Sequence, residues 1–445
     1  MQLDCTYRVE IPHRPGHLAK VASAIAAGDG LIGDVVTLAL GQEATLRDIT
    51  VEVRDADQSE RIADLIAAVE GVRVVWHRDR ALIRHEGGKL FIEPAHAVHT
   101  VQEMRDYYTP GVARVCTAIA TDPMLAGRYT MIGRTVAICT NGTRVLGLGD
   151  IGPVAAMPVM EGKAVFYRQF VGISAMPILI ETKDPDQFVD TVVRISPTFG
   201  GIHLEDISAP GCFDIERRLI EAVPKPVMHD DVHGTAVVTL AAAMTACRQV
   251  GIELSAATVG QIGLGAAGYG IAALMADGGV RRVLASDPSE AACRRASSHH
   301  RIEIVDVETI MREADVVVAT TGKPGLIEPA MVRPGQVILA LSNPDPEIEP
   351  EQAKAAGAAF AADWRSVNNV LGYPGIFRGA LLAGAREINL EMKLAAAQAI
   401  AELSEAAELV PDVLDPHVHG HVAEAVLEAA IRSGVGHLER APSGL

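Results

Sequence analysis

Long apolar runs are missing from this chain. The longest nearly apolar stretch, AVVTLAAAMTAC at 236–247, is too short to span a bilayer. Paired cysteines are missing too. Six stand scattered at 5, 116, 139, 212, 247 and 293, none in a C-x-x-C pair. They read as reduced, mostly buried thiols in a cytoplasmic protein. Basic charge is scarce: the formal net charge is -17, which excludes broad contact with nucleic acid or an anionic membrane. The start, MQLDCTYRVE, has no basic segment followed by an apolar run, so no signal peptide is expected. Long repeats and low-complexity segments are absent as well. What is present is bulk. The 445 residues are 49% hydrophobic, enough for about three domains with large cores in an α/β chain.

Residues 1–80 read as a separate unit. CTYRVEIP is strand-like, and HLAKVASAIAAG follows with Leu18, Val21 and Ile25 at helical spacing. Two more strand-like runs, LIGDVVTLAL and ATLRDITVEVRD, precede a second helix carrying Ile62, Leu65, Ile66 and Val69. GVRVVWHR closes the unit as a strand. The order is βαββαβ, a ferredoxin-like arrangement. With the turn at Pro15 and Gly16 that opens the first helix, the unit resembles an ACT domain. The resemblance implies a small effector bound at that turn, across a paired interface. A dimerisation or packing module without ligand fits the same pattern. Residues 85–228 mix helix-like and strand-like runs, 229–368 alternate strand and helix, and 369–445 are mostly helical.

Two strings match G-x-G-x-x-G: GLGDIG at 147–152 and GLGAAG at 263–268. After the first, Pro153 can start a helix, but Pro158 is expected to break it in its second turn. The second follows the strand-like AATVGQI and opens the helix-like YGIAALMADGG. RRVLASD then ends at Asp287, 24 positions after Gly263. This is the dinucleotide-binding pattern. Gly263 makes the tight turn, Gly265 lets the backbone reach the pyrophosphate, and Gly268 lets helix and strand pack closely, with Ala266 and Ala267 between them. ADVVVATTG and GQVILALSNPD follow as strands. Their ends, at Thr321, Gly322 and Asn343, are expected to line the cofactor cleft. Asp287 favours the ribose hydroxyl of NAD; Arg294 and Arg295, a little further on, leave NADP open.

Two acidic pairs stand out. Glu205 and Asp206 lie in GGIHLEDISAP, and Asp230 and Asp231 in VMHDDVHGTAVV. Neighbours on a strand face opposite ways, so only a bend aims both members of a pair at one point. Three carboxylates would leave an octahedral Mg²⁺ or Mn²⁺ room for substrate oxygens and water. Helix capping explains either pair taken alone.

In order along the chain, YYTPGVARVC, GTRVLGLGDIG, PVMEGKAVFY, HLEDIS, HDDVHGTA, GLGAAG, SNPDPE and NNVLGYPGIFRGAL resemble the motifs of malic enzyme, over roughly residues 95–430. The resemblance is to the short bacterial form, with an ACT-like unit in front. It implies three further regions: a substrate domain at 85–228, a Rossmann NAD domain at 229–368, and C-terminal helices at 369–445 that pack back on the substrate domain. It implies Tyr108 as general acid and Lys163 as general base, with Asp230 paired to Lys163. Arg144, Asn343 and one of Asn368 and Asn369, the latter favoured, would hold the carboxylates of L-malate. Glu205, Asp206 and Asp231 would ligate the metal. The products would be pyruvate and CO₂ with reduced NAD, and the enzyme a homodimer or larger homo-oligomer. Burial and the metal are expected to lower the pKa of Lys163 so that it can accept a proton. His233 reads as a helix-entry residue. His417, His419 and His421 alternate as metal ligands on a strand would, but in a segment broken by Pro and Gly. Two other readings stand beside this one. A dehydrogenase of another 2-hydroxy acid would dispense with decarboxylation. A degenerate ligand-sensing protein would have lost one of Lys163, Glu205, Asp206 or Asp231, and all are present.

Overall fold

The computed structural model describes residues 3–145, 147–405 and 408–436. Leu146, just before the first glycine string, and residues 437–445 of the expected C-terminal segment lie outside them. The chain forms two compact units, residues 1–89 and 90–445.

The first unit runs β1 (Leu3–Pro12), α1 (His17–Ala27), β2 (Leu31–Leu40), β3 (Ala44–Val53), α2 (Ala56–Ala67), β4 (Arg73–Asp79) and α3 (Arg80–His85). The four strands form an antiparallel sheet in the order β2-β3-β1-β4, the ferredoxin-like topology. Alternation drives it. Cys5, Tyr7, Val9 and Ile11 of β1 are buried and meet Val21, Ile25, Ile62 and Ile66 of the two helices in one core. Asp55 caps α2 by accepting from the Gln58 amide.

The second unit begins with three short helices, α4 (Val101–Tyr107), α5 (Val112–Thr121) and α6 (Leu125–Tyr129), none of which has a buried residue. A parallel sheet follows, built from β5 (Thr135–Thr140), α7 (Pro153–Val171), β6 (Ser174–Leu179), α8 (Pro185–Ile195), β7 (Gly201–Leu204), α9 (Gly211–Ala222) and β8 (Val227–His229). Its strand order is β6-β5-β7-β8. The helix expected to break at Pro158 does not; α7 runs through it. The amide that Pro158 lacks would have bonded the carbonyl of Val154, four residues back. Val154 is 75% exposed in the first turn, where water can serve that carbonyl.

The chain then enters α10 (Thr235–Val250), with every residue from Ala236 to Ala243 buried. The second parallel sheet comprises β9 (Thr258–Ile262), α11 (Ala266–Asp277), β10 (Arg282–Ser286), α12 (Glu290–His299), β11 (Ile302–Ile304), α13 (Val307–Glu313), β12 (Val316–Ala319), β13 (Val337–Ala340), α14 (Pro350–Ala355) and β14 (Phe360–Asp363). The order β11-β10-β9-β12-β13-β14 reverses direction beside β9, as in a Rossmann fold. Runs such as VVVA and VILA are buried along their length, as strands covered on both faces must be. Three helices finish the chain: α15 (Tyr373–Leu382), α16 (Leu390–Glu402) and α17 (Pro416–Arg432). They pack back toward α7, with Tyr373 edge-on to Tyr167 and His419 stacked on Phe170 at 4.2 Å. The DPHVHGHV segment is therefore helical rather than broken. His419 is buried, with Nε2 on the Val413 carbonyl, and His417 and His421 lie elsewhere on the helix.

Candidate active site

Two strand ends carry the acidic pairs. Glu205 and Asp206 follow β7 directly, and Asp230 and Asp231 follow β8, its parallel neighbour. Each pair needs an irregular backbone to converge. At the first, Asp206 takes φ 54°, the left-handed region that costs a non-glycine residue about 1–2 kcal/mol. That is the bend the pair requires. At the second, Asp230–Gly234 forms one wide turn in which the Thr235 amide reaches back five residues to the Asp230 carbonyl. Neither aspartate caps a helix through its side chain. Instead Asp231 Oδ2 accepts from the Asp206 amide at 3.1 Å and ties the two bends together.

The result is a buried cluster. Carboxylate oxygens of Glu205, Asp206 and Asp231 lie within 4.8 Å of one another. Lys163 enters from α7, 8% exposed, with Nζ 2.5 Å from Asp230 Oδ2 and 3.0 Å from Glu205 Oε1. It also sits 4.6 Å from the centre of the Tyr373 ring. Asn369 donates to Asp230 Oδ2 at 2.8 Å, whereas Asn368 turns its oxygen back to the Val370 amide. Arg144 is exposed at the border, its backbone N–H on the Asp206 carbonyl at 3.1 Å. Tyr108 stays apart from the cluster. It is 74% exposed at the end of α4, with no hydrogen bond or ring contact to the cluster among the described residues.

The electrostatics show what the cluster is short of. Burial, then the Glu205 charge, pushes the Asp206 carboxyl up to about 9, and Asp231 up to about 6. Lys163 brings one positive charge to the four carboxylates of the cluster, so they cannot all stay ionised without a further cation. The Asp206 Oδ2 atom is buried with no hydrogen-bond partner. This donor set fits a divalent metal that prefers oxygen ligands. The lysine departs from expectation. Burial alone would lower its pKa, but Asp230 and Glu205 outweigh burial and hold it well above the ordinary lysine value. Without a metal to draw the carboxylates away, Lys163 is an ammonium.

Residues not singled out in the sequence complete the site. Gly234 has no Cβ because one would fall 1.7 Å from Asp230 Oδ1. Gly270 lets α11 press on the wide turn, where a Cβ would lie 2.1 Å from the Val232 carbonyl. Both glycines sit inside stretches quoted above, yet only the folded chain shows what they approach. Glu216 accepts from the His229 amide and from His233 Nε2, and Lys393 reaches His233 Nδ1 at 3.1 Å. His233 thus holds the turn from behind and belongs to none of the possible metal groups among the described residues.

The second glycine string lies at the mouth of the Rossmann sheet. Gly263 has φ 91° and crowds the Thr320 carbonyl; a Cβ on Gly268 would fall 2.0 Å from the Gly263 carbonyl. A Cβ on Gly265 would meet open space, the room a pyrophosphate needs at the start of α11, where Ala266 and Ala267 supply the first turn. Asp287 accepts from the Leu264 amide at 2.7 Å and bends the loop toward β10. Arg294 pairs with Glu290 on the exposed face of α12, and the Arg295 guanidinium lies over the Phe213 ring at 4.4 Å with its Nε unpartnered among the described residues. At the ends of β12 and β13, buried Glu347 accepts from the Thr321 amide and hydroxyl and from Ser342, while Ser342 Oγ accepts from the Gly322 amide. Glu347 is another residue the sequence did not single out. Asn343 stands exposed beside this knot.

Comparison with known proteins agrees with this geometry. Residues 89–220 match the family model of the malic enzyme N-terminal domain. Residues 233–323 match that of the NAD-binding domain of D-isomer specific 2-hydroxyacid dehydrogenases. The NAD-dependent malic enzyme 1 of Bacillus subtilis is 52% identical over 96% of this chain and 97% of its own. The NAD-dependent malic enzyme of Geobacillus stearothermophilus is 40% identical over 99% and 97%. The crystal structure of malic enzyme from Pyrococcus horikoshii superposes with a TM-score of 0.76 at 38% identity, covering 81% of this chain and 92% of that one. With lysine, carboxylates and Rossmann mouth in one unit, and relatives this similar over nearly their whole length, the chain belongs to the malic enzyme family.

Proposed function

We propose that the chain converts L-malate to pyruvate and CO₂ with NAD as hydride acceptor and Mg²⁺ or Mn²⁺ at Glu205, Asp206 and Asp231. The observation that carries this reading is Lys163, buried between Asp230 and Glu205 at the edge of the three-carboxylate group. When bound, the metal supplies Lewis acidity at the hydroxy-acid oxygens and NAD supplies the hydride acceptor. The chain supplies the rest. Arg144, Asn343 and Asn369 hold the two malate carboxylates. Asp230 keeps the lysine aimed at the C2 hydroxyl. Lys163, after giving its own proton to solvent, takes the hydroxyl proton as hydride passes from C2 to NAD. Loss of CO₂ then breaks the C3–C4 bond, and Tyr108 returns a proton to C3. Burial of Lys163, Glu205, Asp206 and Asp230 keeps water from competing for the hydroxyl proton.

Tyr108 needs company to act. Between residues 91 and 131 the chain leaves Phe91, Ile92, Val101, Met104, Tyr107 and Met124 among its exposed apolar side chains. A homodimer in which a second copy covers this segment supports both its burial and the delivery of Tyr108. The first unit acts as an ACT-like regulatory domain for a small-molecule effector. The regions 1–80, 85–228, 229–368 and 369–445 divide the effector, substrate, NAD and packing roles among them. No helix among the described residues is long and apolar enough to cross a membrane, and the reading is of a cytoplasmic enzyme.

The test supplies malate, NAD and Mn²⁺ and follows all products. NADH, pyruvate and CO₂ should appear in equal amounts. Release of oxaloacetate as the main product would overturn the decarboxylating assignment.

A further inference from the structure

Both oxygens of Glu205 are engaged by side chains. Oε1 lies 3.0 Å from Lys163 Nζ, and Oε2 lies 2.7 Å from His203 Nε2. His203 continues the chain, with Nδ1 2.9 Å from the hydroxyl of Tyr167. Directions follow from chemistry. A carboxylate paired with an ammonium can only accept, so His203 Nε2 carries the proton. In the neutral ring Nδ1 is then bare and accepts from Tyr167 O–H. The ring cannot swing away. Phe377 stacks on it at 5.6 Å, Tyr373 meets it edge-on at 5.3 Å, and it is fully buried.

His203 also falls with Glu205 and Asp230 in a second group that could hold a metal. Both ring nitrogens are already committed, one as donor and one as acceptor, so no lone pair is left for a cation. We infer that Tyr167 and His203 are positioning residues: their hydrogen-bonded relay fixes the rotamer of Glu205, holding Oε1 on Lys163 and the carboxylate at the metal site. The inference rests on the metal site proposed above. Tyr167 anchors the ring from its far side. Without its hydroxyl, the buried Nδ1 lone pair has no donor, and the Nε2–H bond that fixes Glu205 loses its support.

The experiment titrates Mn²⁺ alone into the full chain, free of NAD and malate, and reads affinity by calorimetry or by the spin resonance of free Mn²⁺. Four proteins are compared: unsubstituted, Tyr167→Phe, His203→Leu and His203→Gln. Tyr167→Phe and His203→Leu should weaken Mn²⁺ binding roughly 10-fold or more, the usual size of such outer-shell losses. His203→Gln, whose amide can still donate to Glu205, should recover a good part of the loss. NAD affinity, which depends on the other sheet, should stay unchanged in all four and shows that each is folded. In turnover the loss should appear as a raised Mn²⁺ requirement that excess Mn²⁺ restores. Wild-type Mn²⁺ affinity in Tyr167→Phe overturns the relay, and so do equal losses in the Gln and Leu variants. If His203→Leu fails to fold, Tyr167→Phe decides by itself, because it removes a single oxygen. No Mn²⁺ binding by the unsubstituted chain overturns the metal site and this inference with it.

Discussion

Two loops in this molecule are spelled alike and do different work. GLGDIG and GLGAAG each lie between a parallel strand and a helix. After β9 only residues 263–265 intervene before α11, and the glycines press backbone against backbone. After β5 residues 141–152 intervene before α7. That loop doubles back so that a Cβ on Gly142 would lie 2.2 Å from the Gly152 carbonyl. Gly147 and Gly149 of the first loop are left-handed but surrounded by open space. The helices differ as much. α11 starts with small apolar residues and leaves its first amides to a ligand, whereas α7 starts with Pro153, which has no amide, and delivers Lys163 further along. Glycine spacing reports where backbone must bend. What the loop serves depends on what the next helix carries.

The largest effect should come from the first helix. Lys163→Ala should lower kcat by ~10³-fold, within the range for a lost general base, while NAD affinity stays within about two-fold of the original. Retained turnover, or lost NAD binding, would break the division between the loops. Next is a paired substitution. Gly268→Ala should weaken NAD binding about 10-fold, since its Cβ must displace the Gly263 carbonyl, the same peptide that lines the phosphate turn. Gly147→Ala should leave NAD binding alone and cost about 1 kcal/mol of stability for the strained φ, read by denaturant unfolding. Equal NAD losses in both would erase the contrast.

A smaller effect concerns pH. The folded pKa of Asp206 is raised to about 9 and that of Asp231 to about 6. A raised carboxyl contributes stability that is full below the ordinary carboxylate pKa and is lost as pH rises through the folded value. The metal-free chain should therefore lose stability between pH 4 and 9. Mn²⁺ displaces those protons, so its affinity should rise from pH 5.5 to 8. Melting curves with and without Mn²⁺ should diverge as pH rises; parallel curves would contradict crowded, buried carboxylates as the cause. The smallest effect belongs to α12, the helix that follows β10. Arg294→Ala and Arg295→Ala should change the NAD-to-NADP preference by less than about three-fold, because Arg294 points to Glu290 and Arg295 lies over Phe213, while Asp287 is the residue bonded to the glycine turn.

Much of the fold was legible because it repeats simple patterns. Alternation in CTYRVEIP and continuous apolar runs such as VVVA mark strands of two kinds, one half-covered and one buried. GLGAAG with Asp287 was legible because the turn's needs are local. Other features were not. Pro158 sits inside a helix because its turn faces water, and exposure cannot be read from a proline. His419 looked like one tooth of a strand and is a buried helical residue stacked on Phe170. Nothing in the sequence singles out Gly234 and Gly270; only Asp230 and Val232, packed against them, show why neither can carry a Cβ.

By itself the sequence determined which side chains were available: two acidic pairs, one lysine in EGK, and a glycine string at the right distance from an acid. It also determined the order of strands and helices, since hydrophobic period and turn residues act over a few positions. Only the tertiary structure decided how those groups meet. The left-handed Asp206 and the wide turn at Asp230–Gly234 place three carboxylates around one point. Packing among α7, α15 and α17 buries Lys163 against them. The charge state of each group follows from that burial and from neighbours distant in sequence. A pKa is set by dielectric and distance, and neither exists until the chain has folded.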